Sequence, residues 1–116
     1  MPLAARWRLL TDLPESRGRE AMPGVYEIAD AEKRVIYIGQ SGRDVPNRLR
    51  QHLARNECIR AGACYWRYSY SRVPQAEEAR LLSHYRSVQG ELPACNRGTP
   101  LERDARRRYA ERSGGE

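Results

Sequence analysis

Two short apolar runs constrain this chain most: "GVYEIA" over 24–29 and "RVIYIGQ" over 34–40, joined by the polar "DAEK". Runs this short, rich in valine, isoleucine and tyrosine and bounded by turn residues, form strands rather than helices. Their closeness predicts an antiparallel hairpin over 24–40. Val35 to Ile38 is apolar at every position, which predicts a central strand covered on both faces. Each run carries a tyrosine, Tyr26 and Tyr37, eleven residues apart. Gly39, Gly42 and the polar "QSGRD" end the second run.

A helix is expected to begin at Pro46, because Val45 precedes a proline and proline suits a first helical turn. Leu49 and Leu53 form its apolar stripe, and Arg48 and His52 share a neighbouring face at i, i+4. "CYWRYSYSRV" over 64–73 alternates, with Cys64, Trp66, Tyr68 and Tyr70 on one face and Arg67, Ser69 and Ser71 on the other. A second helix is expected over 75–89, ending at Gly90. On it Glu78 shares a face with Leu81, Leu82 and Tyr85. A carboxylate in an apolar stripe costs several kcal/mol unless a cation or hydrogen bonds satisfy it. Glu77 lies about 100° round the helix and is the alternative acid. "TPLE" at 99–102 is a capping box and predicts a last, arginine-rich helix to about Arg112.

The expected architecture is an α/β (α+β) sandwich, a three-stranded antiparallel sheet flanked by helices. An N-terminal arm (1–22) precedes the main unit (23–97), and a basic C-terminal helix and tail (98–116) follows. The arm has no assignable secondary structure, and Trp7 is expected to lie against the core. Cys58, Cys64 and Cys95 are an odd set without CxxC spacing, so reduced thiols are expected rather than a disulfide framework or a zinc site. No 18-residue apolar stretch and no secretory h-region is present, so the expectation is a cytoplasmic protein with no membrane partner.

The formal net charge is +6 and the isoelectric point about 9.6. Lys33 is the only lysine among the cations. Arginine's planar fork suits bidentate phosphate contacts, so a polyanionic partner is expected. Arg43, Arg67, Arg106 and Arg107 are the candidate contacts to nucleic acid.

Gly24-Val25-Tyr26, Tyr37-Ile38-Gly39, Arg48 and His52, the Glu-x-x-Leu-Leu run at Glu78, and Asn96 after "LPAC" follow one another in order. This set resembles the GIY-YIG nuclease domain of homing endonucleases and excinucleases, over about residues 23–97. The resemblance implies a metal-dependent endonuclease cutting phosphodiester bonds, in DNA in preference to RNA. It implies catalytic roles for Tyr26, Tyr37, Arg48, His52 and Glu78, with Glu78 holding Mg²⁺ or Mn²⁺. Gly39 and Asn96 would support the site structurally.

Hydrolysis of a phosphodiester needs an in-line water, a proton acceptor and positive charge at the phosphoryl oxygens. Arg48 supplies permanent charge, and Tyr37 would position water or phosphate. Either Tyr26 or His52 could accept the proton, and His52 could instead hold a phosphate oxygen. A tyrosine ordinarily titrates near pH 10, so Arg48 or a metal would have to lower Tyr26 for it to serve as the base. A non-cleaving nucleic-acid-binding module is the alternative, with Trp66, Tyr68 and Tyr70 stacking bases. A protein-interaction domain with a basic face is a third class. His84 is expected at the surface.

Overall fold

The computed structural model describes residue 3 and residues 5–97. The arm contributes β1 (Arg8–Leu9) and a 3₁₀ turn at Leu10–Asp12. The hairpin is β2 (Gly24–Ala29) and β3 (Val35–Ser41). Two helices follow, α1 (Val45–Arg55) and α2 (Glu57–Gly62), then β4 (Tyr65–Tyr70) and α3 (Pro74–Gln89). The expected last helix, with Arg106 and Arg107, lies outside the described residues.

The fold is α+β around one antiparallel sheet of order β1-β4-β2-β3. It has four strands rather than three, because the arm pairs Arg8 with Trp66 and Leu9 with Tyr65. The central place belongs to β2, between β3 and β4, so the expectation of a central β3 is corrected. Helices on both sides explain why an edge strand is apolar throughout. On one face Tyr26, Ile28, Tyr37 and Trp66 pack with Val45 and Leu49 of α1, Ile59 of α2 and Leu10 of the arm. On the other, Val25 and Ile38 pack on Leu81 of α3, with Leu82 and Tyr85 beside them. A register shift at Ile28/Ala29 leaves Ile36 as the extra residue, a bulge that breaks the simple alternation of β3.

The outer edge of β3 is closed by the chain after α3. Cys95 N–H donates to Ile36 O (2.7 Å). The buried Asn96 side chain accepts from Ile38 N–H (2.8 Å) and donates to Ile38 C=O (3.0 Å). An amide side chain therefore stands in for the next strand. Cys58 and Cys95 form a disulfide that ties this segment to α2, which corrects the expectation of reduced thiols; Cys64 is unbonded. The pairing carries no spacing signature, since it joins positions 37 residues apart through the fold.

Helix ends follow local chemistry. Asp44 accepts from Asn47 N–H (3.0 Å) as N-cap of α1, with Pro46 in the first turn. Asn56 ends α1 and caps α2 by accepting from Ile59 N–H (3.0 Å). Gly90, at φ 89°, takes the left-handed conformation that ends α3.

Replacing Asn96 with alanine should cost about 3 kcal/mol, because two buried backbone groups of Ile38 lose their partner. Urea unfolding would measure it, and a loss below about 1 kcal/mol would mean water takes over both bonds.

Candidate active site

Four elements converge on one end of the sheet. Tyr26 of β2 stands opposite Gly39 of β3, and Tyr68 of β4 flanks it on the other side. A Cβ at Gly39 would meet Tyr26 Oη at 2.5 Å and Tyr37 Cε2 at 2.8 Å. The Tyr26 ring therefore lies against the bare backbone of residue 39, and only glycine leaves room for it there. The same economy holds at Gly24, where a Cβ would stand 2.3 Å from Ser69 O of β4.

Across this gap Tyr26 Oη is hydrogen-bonded to His52 Nε2 at 2.7 Å. The Tyr37 ring lies edge-on to the His52 ring at 4.9 Å and stacks on Tyr26 at 6.3 Å. Tyr26 is 1% exposed and Tyr37 8%, while His52 is half-buried and Arg48, one turn before it, is exposed. Burial holds the Tyr26 phenol well above its usual range. Tyr37 and Glu78 push it further up, and Arg48 pulls it partly back. The charges of Arg48 and Glu78 thus act on the Tyr26 hydroxyl. The expected lowering by Arg48 is present but is outweighed by desolvation.

The structure brings Tyr26, Tyr37 and His52 into contact, with Arg48 and Glu78 near enough for their charges to bear on Tyr26. Glu78 is half-buried on the face of α3 that carries Leu81, while Glu77 is ion-paired with Arg80. Among the described residues no three His, Cys, Asp or Glu side chains cluster as a metal cage. One carboxylate at the edge of an open site still fits a hard cation such as Mg²⁺, which keeps several waters and binds through one or two carboxylates plus substrate phosphates.

Arg43 is exposed at the start of α1. Arg67 is turned to the α3 face, where its guanidinium bonds Glu27 at 2.7 Å and stacks over Trp7 at 3.9 Å. Trp66 is fully buried and stacks on Tyr68 at 5.3 Å, and Tyr68 donates to Glu20 (3.0 Å); Tyr70 is exposed. His84 is exposed, as expected. A cleft of about 730 Å³ beside Arg48 escaped the sequence reading. It joins arm residues near Ser16 to the start of α1, and no periodicity or motif relates segments so far apart.

A family model for the GIY-YIG catalytic domain matches residues 22–90, more than half of the 116-residue chain. The chain belongs to this nuclease-type family. No curated protein and no solved structure matches it.

Gly39→Ala should break the Tyr26–His52 contact and destabilise the fold by about 1–3 kcal/mol, as overpacking does. An unfolding curve unchanged from wild type would show that the tyrosine can swing aside. The raised Tyr26 pKa has a sign that can be tested. The unfolded tyrosine ionises first, near pH 10, so this contribution to stability is complete below that pH and is lost as pH rises through the higher folded value. The advantage of wild type over Tyr26→Phe should therefore shrink above about pH 10 in parallel melts. An advantage constant across that range would contradict the burial effect.

Proposed function

We propose that this chain is a metal-dependent endonuclease that hydrolyses nucleic-acid phosphodiester bonds, in DNA in preference to RNA. The observation that carries this reading is the 2.7 Å Tyr26–His52 hydrogen bond, with Arg48 and Glu78 acting on the same hydroxyl, inside a chain of a nuclease-type family.

Because Tyr26 stays protonated at neutral pH, it works in a relay rather than as a standing tyrosinate. A water donating to Tyr26 Oη gives up its proton as the phenol passes its own to His52 Nε2. Imidazole is the side chain whose ordinary pKa suits that task. The water oxygen bonds to phosphorus, the bond to the leaving oxygen breaks, and the proton stays on His52. Arg48 offsets the charge that grows on the non-bridging oxygens. Tyr37 walls the imidazole and fixes its plane. Glu78 would hold Mg²⁺ or Mn²⁺, which when bound supplies Lewis-acid stabilisation of the leaving oxygen. Burial of Trp66 removes the centre of the aromatic platform that a non-cleaving module would use.

Incubating the pure protein with DNA and with RNA, with and without Mg²⁺, tests the proposal. Cutting should need the cation, and full activity in excess EDTA would overturn the metal dependence. Arg48→Ala and Glu78→Gln should each lower cleavage by about a hundredfold or more, with most binding kept for Arg48→Ala. Glu77→Gln should cut nearly normally. Cleavage indifferent to both Arg48→Ala and Glu78→Gln would move the activity away from this site.

A further inference from the structure

The cleft beside Arg48 has one wall that the family match does not cover. Its floor is the β3–α1 connection, Ser41 to Asp44, and its far wall is the arm at Ser16 and Arg17. The arm is fastened there by side chains of α1. Arg50 donates to Ser16 Oγ (3.0 Å) and to Pro14 O (2.6 Å), and Ser16 Oγ donates to Asn47 Oδ1 (3.0 Å). Arg17 N–H donates to Asp44 Oδ2 (2.7 Å). That bond holds Arg17 at φ 63°, where a non-glycine residue persists only when its surroundings hold it.

Three exposed arginines gather in this one cleft. Arg8, Arg34, Arg60, Arg67, Arg80 and Arg97 each pair with a carboxylate. Arg17, Arg43 and Arg48 line one cleft, are all exposed, and make no ion pair among the described residues. The one acid there, Asp44, spends both oxygens on backbone N–H groups. Gly42 opens the floor, since a Cβ on it would meet nothing within 4 Å.

We propose that the arm is part of the substrate site: Arg17, with Arg43, holds a backbone phosphate of the nucleic acid flanking the one that Arg48 addresses. The inference rests on the nuclease reading and adds to it the strand path and a residue outside the matched region. Four hydrogen bonds fix the wall that carries Arg17, so the arm itself needs no ordering on binding and only the Arg17 side chain must settle; its contact acts in the ground state and positions the strand.

The test is binding of a short labelled DNA duplex, and of the same sequence as RNA, in EDTA so that nothing is cut. Arg17→Gln should raise Kd by about tenfold and reduce the slope of log K against log salt by about one. Arg19→Gln removes an exposed charge outside the cleft and should leave both near wild type. Gly42→Trp fills the floor and should also weaken binding, with thermal melts confirming that each variant folds. The DNA and RNA arms show which backbone the cleft prefers. If wild type binds in EDTA and cuts once Mg²⁺ is supplied, while Arg17→Gln matches Arg19→Gln in both Kd and salt slope, the arm has no part in the site. If wild type binds neither duplex, this inference falls together with the nuclease reading.

Discussion

The Tyr26 ring crosses the bare backbone of β3 at Gly39, and that crossing sets the geometry of the whole site. It lets a residue of the central strand reach beyond the edge strand to His52 on α1. The same crossing buries the phenol and makes it resist ionisation. Desolvation outweighs the favourable charge of Arg48, and the relay through imidazole in the proposed function rests on that ordering.

Position on β3 matters as much as space. Ile38, between Tyr37 and Gly39, is held on its open side by the two bonds of Asn96. The disulfide to α2 keeps that amide in place without using any group of the site itself. On the other flank, Asp44 caps α1 by accepting from Asn47 N–H, and the side chains of both residues also fasten the arm. Rigid support for the candidate site thus comes from residues with ordinary structural chemistry.

The hairpin was legible because strand-forming residues alternate with turn signals at short range. The faces of α1 and α3 were legible because i, i+3 and i, i+4 spacing places Arg48 with His52 and Glu78 with Leu81. What was not legible depends on distance. β1 is two residues long and has no pattern of its own; only Tyr65 and Trp66 make it a strand. The six residues of α2 are too few for a periodicity, although Asn56 and Glu57 offer a cap and a favourable first-turn charge. An all-apolar β3 looked central because sequence reports covered faces but not covered edges. Arg67 is a candidate nucleic-acid contact by sequence, and no local window shows Glu27, 40 residues away and directly opposite it on β2, as its partner. The sign of the Tyr26 shift followed from total burial, which no local window contains.

The closed edge of β3 also governs how this sheet meets other chains. An open strand edge is a template onto which a foreign strand can zip, the first step towards domain swapping or fibre growth. Here Asn96 and Cys95 occupy the backbone groups of Ile38 and Ile36 that such a strand would seek. At the opposite border β1, Arg8 and Leu9, covers Tyr65 and Trp66 of β4. Within the described residues the β3 border is a finished edge, and one side chain has been traded for the strand that would otherwise have had to come from a neighbour.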